Sequence, residues 1–385
     1  MAQRWGERCM TGVERFRSLD ALRGVAALWI VLFHVLDSHP GYGEVVYRII
    51  RQGHLGVPIF LVISGFGIAA SAERALAIHE RPLTFLKTRL IRIYLPYLVS
   101  VVFVGCLLPL VFGLISALKG GAPSIPFPAY SIGEWVQVLT LTRIFAATNW
   151  MLNRPFLLIN GAVWYLAIIV QIYLVVAVAM WCGRFYRSVL VGLTLLSAST
   201  LVPSIHRLLL PGLFLPFWLD FALGMALFYL IRNQSALLPT LWRSMSWHIP
   251  TIAVGALGLS LGLVEIPTHV MRLCITVILL LVYPFDERLS RHPLFRSVSF
   301  LGLFSYSLYL LHVPLEEPVT LVVRRFAPVS FYLTDPLFVI PMIVGLSYVW
   351  YLFFEKPGSW AAMAGALRHP RDTLAQRGVS QRTSP

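Results

Sequence analysis

From Leu19 onward the chain alternates long apolar runs with short polar connections. The runs lack the two-residue alternation of membrane barrel strands, and most carry no polar stripe of the kind that marks a soluble surface helix. Each is roughly 17 to 25 residues, the length a helix needs to cross the hydrocarbon of a bilayer. The pattern predicts ten helices, over 19–37, 54–72, 94–118, 161–182, 188–203, 213–231, 248–264, 267–284, 297–315 and 335–354. The expected fold is therefore all-α, a polytopic integral membrane helical bundle of about ten transmembrane helices. The runs at 188–203 and 248–264 are short or weakly bounded and read equally well as re-entrant segments.

An even number of spans puts both termini on one side. With that assignment 21 of the 31 Lys and Arg residues fall on the side of the termini and 8 on the other, so the positive-inside rule makes the N- and C-termini cytoplasmic. Residues 1–17 and 358–385 are then cytoplasmic tails around a membrane domain at 18–357. No small-residue cleavage pattern follows the first run, so that helix is expected to stay in place, in the inner (cytoplasmic) membrane.

Composition agrees: of 385 residues 58% are hydrophobic and 12% charged, with a mean hydropathy of +0.76. A net charge of +14 would fit a nucleic-acid partner in a soluble chain, but here the basic residues lie in short connections where they set orientation, so no nucleic acid is expected. The four cysteines are scattered without CxxC or zinc spacing, and no metal centre is expected. The long outer connection at 120–160 starts Pro-rich and holds a candidate interfacial helix at Glu134–Phe145, either a cap over an outward cavity or a plain connector.

The candidate chemistry is polar residues inside these runs. In "SLDALRGVAALWIVLFHVLDS", Arg23 and His34 are eleven residues apart, which returns to within about 20° of the same helix face and separates them by roughly 16 Å. Arg23 sits low and His34 high, as an elongated anionic ligand entering from the cytoplasm would require. Arg23 also has a bland reading, snorkelling to headgroups beside Asp20, and His34 one at the interface beside Asp37. Ser64, Gly65 and Gly67 let a neighbour or ligand approach the second run. Arg89 and Arg92, one turn apart at the mouth of the third, suit phosphates of a ligand or of lipid headgroups. Trp164, Gln171 and Tyr173 mark the fourth run, and Tyr306, Ser307, Tyr309 and His312 the ninth. These are candidates for a site or for an interfacial aromatic belt.

In their order, "SLDALRGVAALWIVLFH", "FLVISGFGIA", "RLIRIYLPYL", "VWYLAIIVQIYL", "SYSLYLLHVPL" and "YLFFEKP" resemble acyltransferase family 3, the membrane O-acyltransferases that include O-acetyltransferases of cell-surface polysaccharides. The resemblance spans Ser18 to Pro357. It implies transfer of an acyl group, by default acetyl, from cytoplasmic acyl-CoA to a hydroxyl at the outer face. The acceptor would be a glycan, a lipid-linked sugar or a small hydroxylated molecule. The family's required Arg and His match Arg23 and His34. Arg23, Arg89 and Arg92 would then hold acetyl-CoA, and His34 would act as general base, oriented by Asp37. Ser64, Trp164, Tyr306 and His312 would contact substrate, with Ser64 also the candidate for an acyl-enzyme route. One departure stands out: where many members carry a glutamate in the fourth span, this chain has Ala167 to Val170 and then Gln171. A transporter or flippase using Arg23, His34, Asp220 and Arg272 as pathway charges is the alternative from another class.

Overall fold

The computed structural model describes residues 16–37, 40–110, 113, 117, 130–146, 160–232, 268–326 and 331–356. Among them every regular element is helical. The main helices are α1 (Arg17–Leu36), α2 (Glu44–Arg51), α3 (Gly56–Ala77), α4 (Pro82–Val102), α5 (Ile132–Leu139), α6 (Trp164–Trp181) and α7 (Tyr186–Ser199). They continue with α8 (Leu215–Arg232), α9 (Thr268–Val282), α10 (Pro293–Leu303), α11 (Ser305–Phe326) and α12 (Ile340–Trp350).

Six helical segments among the described residues are long and apolar enough to cross a membrane. They are Arg17–Leu36, Glu44–Ala77, Pro82–Leu110, Gly161–Trp181, Leu215–Arg232 and Asp335–Glu355, and the pair α10–α11, bent by 68°, makes a seventh if it counts as one span. The chain is thus a multi-pass membrane protein, with fewer full-length spans in view than the ten the sequence predicts. The runs at 188–203 and 267–284 appear as α7 and α9; α7 has 14 residues, short of the ~20 that span unaided, and α9 has 15 among the described residues. The run at 248–264 and the Pro-rich stretch at 121–129 lie outside the described residues.

Two boundaries differ from the apolar pattern for physical reasons. α4 begins twelve residues before the predicted span, with Pro82 at its first turn, where a missing N–H costs nothing. Its basic first half is helical but polar, so hydropathy marks only the second half. α3 runs on to Ala77 because Glu73 is held from outside. Arg187 of α7 (2.9 Å) and both Tyr229 (2.7 Å) and Arg232 (2.5 Å) of α8 bond its carboxylate, tying three helix ends together.

Close crossings set the frame. α3 meets α8 at Gly65 and Gly224, where an added Cβ would run into the backbone of Phe221 and Val62 respectively. α1 meets α10 at Gly24 and Gly302 in the same way, against Val298 and Asp20. Small-residue contact supplies dispersion where lipid leaves no hydrophobic drive. Helix ends find partners across the bundle. Asp286 accepts from the backbone N–H groups of Arg17 (3.0 Å) and Ser18 (2.7 Å), capping α1 in trans. Glu355, just after α12, accepts from the N–H (3.0 Å) and hydroxyl (2.5 Å) of Ser307 in the first turn of α11.

Candidate functional site

Between α1, α3, α4, α6, α10 and α11 lies a cavity of about 280 Å³, near the low end for small-molecule sites. Its mouth is on the face where α1 begins and is strongly charged, with Arg23, Arg89, Arg92, Asp20 and Glu355 in its lining. Arg23 stands 3.6 Å from Asp20 and is about one-third exposed. Arg89 donates to the Ser71 hydroxyl, which in turn donates to the Gly67 carbonyl at 2.6 Å. The Arg89 guanidinium also lies over the Phe85 ring at 5.7 Å. Ser71 and Phe85 thus fix one guanidinium from two sides, while Arg92 stays exposed at the opening.

Tyr173 lines the cavity near the arginines; deeper in, the lining becomes apolar, with Ile68, Leu166 and Ile169, and ends at Phe60, Tyr165 and Tyr309. These three rings contact one another, with centres 5.6 to 6.3 Å apart. Hydrogen bonds hold them: Tyr309 donates to the Ala162 carbonyl, and Tyr165 meets the Ser64 hydroxyl at 3.4 Å. Tyr306 donates to the Ile93 carbonyl at 2.8 Å, fastening α11 to α4 beside the mouth.

Gly67 differs from the packing glycines. It lines the cavity, yet a Cβ built on it meets nothing within 4 Å. The space beside it belongs to the cavity, not to a neighbouring helix. Gly67→Leu is therefore expected to fold at wild-type yield, since leucine favours a helix over glycine by ~0.8 kcal/mol, but to weaken occupancy of the cavity at least about tenfold. Ligand affinity measured beside thermal unfolding checks both halves.

Of the residues singled out in the sequence, Arg23, Ser64, Arg89, Arg92 and Tyr306 meet in this cavity, whereas His34, Asp37, Trp164 and His312 do not line it. His34 is exposed near the far end of α1, with its ring centre 4.8 Å from that of His312. Its Nδ1 donates to the Ile30 carbonyl at 2.9 Å, so Nε2 carries the lone pair of the neutral ring. That bond takes the place the sequence reading gave to Asp37. The Asp37 carboxylate instead pairs with Arg51 at 3.5 Å and its carbonyl accepts from Tyr47 at 3.3 Å, anchoring α2 to the end of α1. Trp164 packs on Phe217 of α8 at 5.7 Å, and its neighbour Tyr165 is the one that reaches the cavity.

His312 is buried at 1% exposure, its Nδ1 2.7 Å from the Tyr309 carbonyl. Two residues on, Pro314 has no N–H to give the Leu310 carbonyl, and Asn160 supplies the missing donor at 2.5 Å. The same side chain accepts from the Ala162 N–H at 3.0 Å. Asn160 thus pins the start of α6 to α11 at the level of the histidines. Pro314 signals in the sequence that a carbonyl is orphaned, but not which side chain meets it.

Glu355 and Tyr165 also belong to the site without having been assigned to it from sequence. Gln171, which follows the apolar stretch Ala167 to Val170, is structural: it donates to the Gly212 carbonyl (3.0 Å) and accepts from the Phe214 N–H (3.1 Å). The interfacial helix expected at 134–145 is α5, followed by a 3₁₀ turn at Thr142–Ala146. It is fastened to α4 by Tyr97 (2.6 Å) and Tyr94 (3.2 Å) and contributes no cavity lining. Ser131 caps it, and hydrogen bonds from the Ser131 backbone and hydroxyl hold the Glu134 carboxyl below its ordinary range, with Arg143 adding to them.

The acyltransferase domain family, type 3, matches residues 16–355. No curated protein and no solved structure matches the chain. The matched stretch takes in both the arginine-lined cavity and the histidines at its far side, and the chain belongs to the type 3 family of membrane acyltransferases.

Proposed function

We propose that the protein moves an acyl group, by default acetyl, from a cytoplasmic acyl-CoA to a hydroxyl of an envelope acceptor at the outer face of the inner membrane. The acceptor class is a glycan, a lipid-linked sugar or a small hydroxylated molecule. The observation that carries the reading is a cavity with three guanidinium groups at its mouth, an apolar interior and, beyond its aromatic end, an exposed imidazole.

Arg23, Arg89 and Arg92 bind the phosphates of CoA, guanidinium forks being suited to phosphate oxygens. The pantetheine arm follows the apolar lining past Gly67, and the thioester lies towards Phe60, Tyr165 and Tyr309. His34 Nε2 removes the proton of the acceptor hydroxyl as its oxygen attacks the acyl carbon; the C–S bond breaks with its electrons on sulfur. Ser64 faces the Tyr165 hydroxyl and no base, which favours direct transfer over an acyl-enzyme. The transporter reading loses two of its pathway charges, because Asp220, 1% exposed, and Arg272 close on each other at 2.9 Å between α8 and α9.

The test uses purified protein in nanodiscs with radiolabelled acetyl-CoA and an envelope-glycan extract. Saturable binding displaced by CoA, and label appearing in the glycan, are the expected results. Folded protein that binds no acyl-CoA would remove the donor and return the transporter reading to the front.

A further inference from the structure

Three of the hydroxyl groups that line the cavity are already spent on backbone carbonyls. Ser305 donates to Gly302 at 3.0 Å, Tyr306 to Ile93 at 2.8 Å and Tyr309 to Ala162. Each has given up its one hydrogen. Ser64 of α3 and Tyr165 of α6, at the inner end, have only one another among the described residues, at 3.4 Å. That is a long contact, since O–H···O bonds at full strength lie at about 2.5–3.0 Å. Two hydroxyls carry two hydrogens, and a contact between them uses one at most. At least one hydrogen is left without an acceptor in an apolar setting, where an unmet donor is costly.

The spacing suits one occupant. Two oxygens 3.4 Å apart can both stand ~2.8 Å from a single third oxygen on the cavity side, each donating to it. Gly67, three residues on from Ser64 and on nearly the same helix face, leaves the space beside them open, since a Cβ on it would meet nothing within 4 Å. An atom that takes two donors and offers none back is a carbonyl oxygen, and it gains most from them when it turns negative.

We propose that the Ser64 and Tyr165 hydroxyls are the donor pair for the thioester carbonyl oxygen, an oxyanion hole built across α3 and α6. This rests on the acyl-transfer reading for the identity of the occupant. The acceptor hydroxyl loses its proton to His34 Nε2, and its oxygen's electron pair forms the C–O bond. The carbonyl π pair moves onto the carbonyl oxygen, and both hydrogen bonds to it strengthen. When the carbonyl re-forms, the C–S bond breaks with its electrons on the CoA sulfur. Ser64 and Tyr165 keep their hydrogens throughout, so neither is a nucleophile and no acyl-enzyme forms.

Tyr165→Phe and Ser64→Ala each remove one oxygen and leave the carbon beneath it in place. Each is expected to lower kcat about 100-fold, the usual worth of one oxyanion donor, with acetyl-CoA affinity within about threefold of wild type. Ser64→Thr, which keeps the hydroxyl, is expected within about tenfold of wild type. Affinity or thermal stability that falls in step with rate marks a packing role and overturns the proposal, as does wild-type kcat in either variant without its hydroxyl. So does radiolabel that stays on denatured wild type and disappears in Ser64→Ala, because Ser64 is then an acyl carrier.

A second measurement needs no turnover. Wild type in nanodiscs is loaded, without acceptor, with acetyl-CoA carrying ¹³C at the thioester carbonyl. The infrared stretch of that carbonyl is expected below its position in an apolar solvent, and to move back towards it in Tyr165→Phe. Bound donor whose stretch in wild type sits at the apolar position overturns the donor pair and leaves acetyl-CoA binding in place. A lowered stretch in protein that transfers to no acceptor keeps the pair and sinks the acyl-transfer reading instead.

Discussion

His34→Ala is expected to lower acyl transfer about a thousandfold while acetyl-CoA affinity stays within about twofold, and Arg23→Ala to weaken acetyl-CoA binding by about 10- to 100-fold. The first figure is the typical contribution of a general base, and the second the loss of one hydrogen-bonded charge pair. The separation follows from placement: Arg23 lines the cavity mouth and His34 lies beyond the aromatic end without lining it. Equilibrium binding and single-turnover transfer on the same preparations check it. Arg23→Ala with intact binding would leave that arginine to the headgroups and to Asp20.

Gly224→Val is expected to be the most damaging single change in the helical frame. A Cβ at Gly224 falls inside the van der Waals shell of the Val62 carbonyl, and that atom is backbone, so no side chain can turn aside to make room. α3 and α8 must then separate along their crossing, which also loosens Gly65 and shifts Ser64 and Gly67 on the cavity side of α3. Loss of most folded protein, or a thermal midpoint lower by about 10 °C, is the expected outcome by size-exclusion and thermal-melt assays. A Gly224→Val protein with wild-type stability would mean that the two helices are not in contact there. Set against Gly67→Leu, which should fold, it separates a glycine of the helical frame from a glycine of the cavity.

The apolar runs made the helical membrane architecture legible, because length and hydropathy are local properties of the chain. Among the described residues fewer than ten full-length spans are in view, α7 being one of the short helices, and the runs missed the polar half of α4, whose helicity does not depend on hydropathy. Spacing along α1 put Arg23 and His34 on one stripe of an unbroken helix, which the structure bears out. It did not reveal that Phe60, Tyr165 and Tyr309, from three different helices, divide that stripe into two compartments. Asp37 looked like a partner for His34 because it is three residues away; Arg51, fourteen residues on, holds its carboxylate instead. Glu355 is close to Arg23 only after the last helix folds back on the first, so nothing near it in the sequence marks it as cavity lining.

The aromatic layer has an electrical consequence. On the proposed reading the charged mouth of the cavity faces the cytoplasm and His34 faces the acceptor on the opposite side, so a transmembrane potential falls mostly across those three rings. A charge carried through them would feel nearly the whole voltage, at ~2.3 kcal/mol per 100 mV. An acyl group is neutral and feels none. On the proposed reading, the arginines keep the phosphates on the side where they enter, and only the uncharged part of the donor reaches the layer, so transfer proceeds at any membrane voltage without short-circuiting it.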